Sequence, residues 1–300
     1  MRSEASKQKD GTMVSETIAD KETGLALWQS EHPRLRYAWL FLLVVIMLSS
    51  MFVTTKTYAA ARFGTRCQSD YQNSWQESLP YQWKRCAGFN NELDDTDTKV
   101  FYFNLQGPAR SRFSTCDSCG TGVDDVHLFY VGTHGGTSGT DAALAMWTKS
   151  VLAVSNTDKW RFGDGGTQCA FFAQYACKTL KLDGKQVNRW LNTFRGGLIM
   201  ALGSHDTLCD GLTTDETGED FADGLQKRKK VKWAWFDGNS DWYCDQDVAV
   251  FATGSSLTGA KSAEADCNYR RDNVKWQNFG SYAKWRDSQI GWMCWAYIDD

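Results

Sequence analysis

The sequence predicts an α/β fold, a mostly parallel sheet with helices on both faces, preceded by one transmembrane or signal helix. Three observations carry this. Apolar runs of strand length recur from residue 98 onward, several of them apolar throughout rather than alternating, as in strands covered on both faces. A helical segment stands between two of these runs, so parallel strands with right-handed crossovers are expected. Residues 37–55 form 19 consecutive residues without a charge, close to the ~20 that span a bilayer as a helix.

In chain order, residues 1–36 are polar, mixed in charge and without periodicity, and read as a disordered tail. Residues 37–55 follow as a transmembrane anchor or signal h-region. Ala59-x-Ala61 behind them offers a signal-cleavage pattern, so both readings stay open. All ten cysteines lie C-terminal to this segment, as expected if that side faces an oxidising space and carries disulfides. The chain is therefore expected to be secreted, or to be a single-pass membrane protein with its C-terminal domain on the extracytoplasmic side. Residues 56–97 carry Tyr71, Trp75, Tyr81, Trp83 and Phe89 among polar residues, with Pro80 interrupting any helix. They read as an aromatic-rich arm packed on a main domain of residues 98–300.

The expected strands of that domain are "KVFYFNL" (99–105), "VHLFYVG" (126–132), "CAFFAQYA" (169–176), "GLIMALG" (197–203), "VKWAWF" (231–236) and "DVAVFATG" (247–254). A helix is expected in "GKQVNRWLNTFRGG", where Val187, Trp190, Leu191 and Phe194 share one face and two glycines mark the stop. A second is expected in "TGEDFADGLQKRKK", with acids in its first turn, bases in its last, and Phe221 and Leu225 at i,i+4. Its basic end is too short to be a nucleic-acid footprint on a chain of net charge −3. No nucleic-acid partner is expected.

In parallel α/β sheets, functional groups collect at the carboxyl ends of strands. Two successive expected strands end on reactive residues: "HLFYVGTHGG" on His134 and "AFFAQYACKTL" on Cys177. A cysteine thiolate is a strong nucleophile, and an imidazole beside it can take the thiol proton and later protonate a leaving amine. Groups crowning neighbouring strands ~4.8 Å apart can meet in this way. Thr133, Gly135 and Gly136 flank the imidazole, and the glycines let backbone N–H groups approach a developing oxyanion.

The order and spacing of these two blocks resemble the caspase-hemoglobinase fold of cysteine peptidases: caspases, metacaspases, legumains and gingipains. The resemblance covers about 80 residues. It implies His134 as the dyad histidine and Cys177 as the nucleophile, with the N–H groups of Gly135 and Cys177 as the oxyanion hole. It implies a peptide or protein substrate cleaved through an acyl-enzyme, by hydrolysis or transpeptidation, with no cofactor and no catalytic metal. Specificity-pocket residues of those families do not align and are not carried over.

His205 ends another expected strand beside Asp206 and Asp210, and is a candidate substrate-binding group in the same cleft. Cys116-x-x-Cys119 reads as a local disulfide, since no second CxxC accompanies it. "DGNSDWYCDQD" begins like a calcium loop but has Trp242 at the required glycine and Val248 at the closing Glu, which excludes an EF-hand and leaves an irregular calcium site open. The competing expectation, from a different class, is a non-catalytic, disulfide-stabilised, Trp-rich extracellular binding module. Thiol pairing separates the two: five disulfides from ten cysteines would leave no nucleophile.

Overall fold

Helices of this protein bury large aromatic residues on both sides of one sheet, and that packing decides where the strand ends open. The computed structural model describes residues 60–71, 77–103, 122–139, 141–145, 151–153, 161–164, 169–211, 214–240 and 246–299. The expected tail, the membrane or signal segment at 37–55 and Cys116-x-x-Cys119 lie outside the described residues. Among those described, no helix is long and apolar enough to cross a membrane.

The elements run β1 (Arg62–Cys67), α1 (Gln82–Asp94), β2 (Thr98–Phe103), β3 (Leu128–Gly132), β4 (Gly135–Ser138), β5 (Asp141–Ala145), β6 (Val151–Ala153) and β7 (Phe171–Tyr175). They continue with α2 (Gln186–Phe194), β8 (Met200–Ser204), α3 (Thr217–Gln226), α4 (Val231–Gly238), β9 (Val248–Ser255), α5 (Ala260–Asn273) and β10 (Ile290–Ile298). Seven strands form one sheet in the order β10-β9-β8-β7-β3-β1-β2, and β4-β5-β6 form a small antiparallel sheet. From β2 to β8 neighbouring strands of the large sheet are parallel, whereas β9 and β10 join antiparallel. The chain thus forms the mixed α/β domain, mostly parallel, that its apolar runs predict.

Those runs are apolar throughout because both faces are covered. In β3, Leu128 and Tyr130 enter one core with Phe89 of α1, Phe221 of α3 and Trp235 of α4. Phe129 and Val131 enter the other with Trp190 and Phe194 of α2 and Leu144 of β5. Strand β7 divides likewise, Phe171, Ala173 and Tyr175 against Phe172. Period-two alternation therefore sorts two apolar sets rather than apolar from polar.

Two expectations are corrected. "VKWAWF" (231–236) is not a strand but the start of α4. Val231, Ala234, Trp235 and Gly238 are buried at i, i+3, i+4 and i+7, a helical stripe. The arm expected at 56–97 is part of the domain. Its β1 lies inside the sheet between β2 and β3, and α1 packs on that sheet through Phe89, which meets Phe63 edge to face and stacks on Tyr130. The stretch after His134 forms the hairpin of β4 and β5.

Disulfides fasten helices to strands, Cys67–Cys86 joining β1 to α1 and Cys267–Cys294 joining α5 to β10. Each closes a loop of moderate length and is worth roughly 2–4 kcal/mol. Cys209 is also disulfide-bonded.

Candidate active site

Strand order in the sheet reverses at β1, because β2 lies on one side of it and β3 on the other. Chain leaving the carboxyl ends of β1 and β3 diverges there and opens a crevice, the usual ligand position of such sheets. One wall is Leu79 with Gln82 of α1. The next is Thr133-His134 after β3, and the third is Ala176-Cys177 after the neighbouring strand β7. A pocket of about 110 Å³ at this point is lined by Thr133, His134, Ala176, Cys177, Leu208 and Asp210, among others.

His134 is held by its backbone and its ring. Its N–H donates to the Tyr71 hydroxyl at 2.9 Å, and its carbonyl accepts the Ala145 N–H at 2.9 Å. The buried Thr133 hydroxyl donates to Ala145 O at 2.8 Å, so its oxygen is left to accept from Tyr71, 2.9 Å away. A linked chain results: His134 N–H to Tyr71, the Tyr71 O–H shared between Thr133 and Gln68 O at 3.3 Å, and Thr133 to Ala145. The Tyr71 ring lies against the imidazole at 5.0 Å, and burial pushes the phenol up to about 12, so it remains a neutral donor.

The imidazole Nε2 lies 2.8 Å from the Glu77 carbonyl oxygen. A carbonyl can only accept, so Nε2 carries the proton and Nδ1 is the nitrogen with a free lone pair in the neutral ring. Glu77 O thus fixes the tautomer that leaves the Nδ1 lone pair free. Sequence reasoning misses this partner because it is a backbone atom with no side-chain signal.

Cys177 is a free, half-buried thiol. Its Sγ accepts the Leu208 N–H at 3.3 Å. Lys178, next in the chain, takes a left-handed φ of 56° and donates its N–H to Asp206 O at 2.8 Å. A non-glycine residue there marks local strain held by its surroundings, and it turns the chain sharply just after the sulfur.

Gly135 joins the two walls. A Cβ on it would stand 2.4 Å from Cys177 O and 2.8 Å from the Ala176 Cβ, so only glycine lets the His134 wall meet the Cys177 wall. The bond from Ala145 N to His134 O makes residues 134 and 145 a hydrogen-bonded pair. Alternation along the antiparallel ladder then directs the Gly135 N–H away from β5. At Gly136 of β4, opposite Ala143 of β5, a Cβ would meet open space.

The packing behind the pocket residues Tyr175 and Asp210 was not singled out by the sequence. Arg85 of α1 is wholly buried, pairs with Asp210, donates to Thr214 O at 2.6 Å and lies over the Tyr175 ring at 4.4 Å. Burial pushes the Tyr175 phenol up to about 12, and its O–H donates to Cys209 O at 2.6 Å. These bonds fix the 205–210 segment that brings Leu208 to Cys177.

His205 does not join the cleft, which corrects its expected role in substrate binding. Its ring turns toward the end of β10, with Nε2 2.8 Å from Asp299 and 3.2 Å from Ile298 O, and packs edge-on against Tyr297. Of the remaining candidates, Thr133 lines the pocket with its hydroxyl already engaged, while His134, Gly135 and Cys177 come together.

Fold and site thus define a mostly parallel α/β domain with a free thiol and a fixed imidazole on adjacent strand ends. Residues 66–296 match a domain of unknown function, DUF6345, and the chain belongs to that family. No curated protein matches it.

Proposed function

We propose that this chain is a cysteine peptidase of the caspase-like class, with Cys177 as nucleophile and His134 as general base and acid. One observation carries the reading. The free thiol and an imidazole of fixed tautomer line one pocket, on the ends of neighbouring parallel strands joined through Gly135. The strand order, the short sheet after the histidine and the Cys177 turn are consistent with it.

In the proposed reaction His134 Nδ1 takes the Cys177 proton as sulfur bonds to the carbonyl carbon of the scissile peptide. The carbonyl oxygen gains charge beside the N–H groups of Gly135 and Cys177. Collapse breaks the C–N bond, the imidazolium gives its proton to the departing amine, and a thioester remains on Cys177. Water, activated by the same imidazole, returns the thiol and releases the acid; an incoming amine would instead give transpeptidation. The described disulfides support an extracytoplasmic site of action for a domain on peptide or protein substrates.

The test uses a diverse peptide library with mass-spectrometric detection of products. Cleavage by the wild type that is lost in both Cys177→Ala and His134→Ala supports the proposal. Cleavage unchanged in either variant, or no cleavage together with a Cys177 disulfide in the native protein, overturns it and favours the binding-module reading.

A further inference from the structure

We propose a second site, independent of the peptidase reading: His205, Asp247 and Asp299 bind one divalent transition-metal ion, Zn²⁺ being the best fit to the donors. Sheet register builds it. Ser204 of β8 pairs with Val248 of β9, and Val248 pairs with Ile298 of β10. One step beyond each strand end, residues 205, 247 and 299 therefore follow the same antiparallel pairing, in which opposed side chains share a face. One ligand atom from each lies within 4.8 Å of the others.

The donors fit a cation better than they fit one another. The His205 Nε2 faces Asp299 Oδ1 at 2.8 Å and Ile298 O at 3.2 Å, with the Asp247 carboxylate close by. A single N–H cannot serve both of the oxygens that face it well, and two carboxylates this close repel. An ion with bonds of ~2.0–2.2 Å can draw on the imidazole and both carboxylates at once, with the Ile298 carbonyl or a water completing four. The ring is pre-positioned: its side chain is 14 % exposed, it packs on Tyr297, and its backbone N–H donates to Asp247 O at 3.0 Å.

The nitrogen donor decides the class of ion. Ca²⁺ and Mg²⁺ favour all-oxygen sets, whereas imidazole with carboxylate suits Zn²⁺ and its neighbours. The calcium-like run that ends at Asp247 is spent differently at its start: Asp237 pairs with Lys229 at 2.7 Å, and Asn239 donates to Trp235 O at 2.7 Å. Its last residue is the one that meets His205. Such an ion would pin the ends of β8, β9 and β10 together and steady the segment running on to Leu208.

Calorimetric titration of the metal-free full-length protein with Zn²⁺ tests this, alongside Co²⁺ absorption spectra. The expected result is one equivalent bound, weakened more than about tenfold in both His205→Ala and Asp299→Asn and unchanged in Cys177→Ala. Excess Ca²⁺ should not compete, and the Co²⁺ spectrum should lack a thiolate charge-transfer band. Affinity unchanged in a folded Asp299→Asn protein, or binding lost in Cys177→Ala, overturns the site. Asp299 is exposed, so its variant decides the matter even where His205→Ala fails to fold.

Discussion

Cys169 and Cys177 flank the same strand, β7, and both are free thiols, but one is sealed and the other lines a pocket. Cys169 is fully buried, donates its S–H to Phe171 O at 3.2 Å, and is pushed well above the ordinary thiol range by burial, with Asp124 adding to it. Its neighbours shift the same way, toward the neutral form. Burial lowers Lys284 to about 8, and lowers His127 to about 4 with help from the positive charges of Lys284 and Arg62. At the other end of β7, Cys177 is accessible and receives a backbone N–H, and a histidine of fixed tautomer lines its pocket. The same residue type thus gains or loses chemistry according to which end of a parallel strand it crowns, since amino ends are packed over and carboxyl ends open.

Removing each sulfur in turn tests that contrast most severely. Cys177→Ala is expected to lower peptide cleavage by more than about 10⁴-fold. Cys169→Ala is expected to keep cleavage within about threefold while costing ~1–2 kcal/mol in denaturant unfolding. Replacing the proposed base is next: His134→Ala should lower kcat by about 10³-fold, within the span of general acid–base effects. A quench-and-map alkylation series should show native Cys177 reacting at least ~10²-fold faster than Cys169, which should be modified only as fast as the protein opens. Tyr71→Phe removes the middle of the chain from His134 to Ala145. It should lower kcat about tenfold through a misplaced imidazole and stability by ~1 kcal/mol.

The smallest effect belongs to the buried end. The His127 Nδ1 accepts the Arg62 N–H at 2.9 Å, a bond available to the neutral ring. Its folded value of about 4 lies below the ordinary 6.5, so its contribution is complete above pH 6.5 and is lost as pH falls through 4. Because the ring is only half-buried, that loss is put at ~1 kcal/mol. Thermal melts of His127→Asn, which keeps an acceptor and cannot titrate, should be flatter than wild type across this window. An equal slope in both would remove His127 from the acid response.

The contrast was half legible in the sequence. "HLFYVGTHGG" and "AFFAQYACKTL" show where two covered strands stop, and so they show His134 and Cys177. β1 was not legible, because "RFGTRC" has two arginines and a glycine. Its Arg66 is nonetheless buried, lying over the Phe101 and Phe103 rings at 5.1 and 4.1 Å, and a polar strand can be central when its charge is stacked on aromatics. α4 misled because six residues are too few to separate period 2 from period 3.6. In the site, Glu77 acts through its carbonyl and Tyr71 through a contact 63 residues distant in the chain. Arg85 and Asp210 stand 125 residues apart in the chain and meet only through tertiary packing, and no local pattern reports such a pair.

The most direct measurement is to treat the native, non-reduced protein with a panel of peptidyl electrophiles that acylate or alkylate nucleophilic thiols, then map the adduct by mass spectrometry. The dyad predicts one adduct, on Cys177, formed in the wild type and strongly slowed in His134→Ala. Labelling that ignores His134, falls on Cys169, or finds Cys177 already in a disulfide would contradict it.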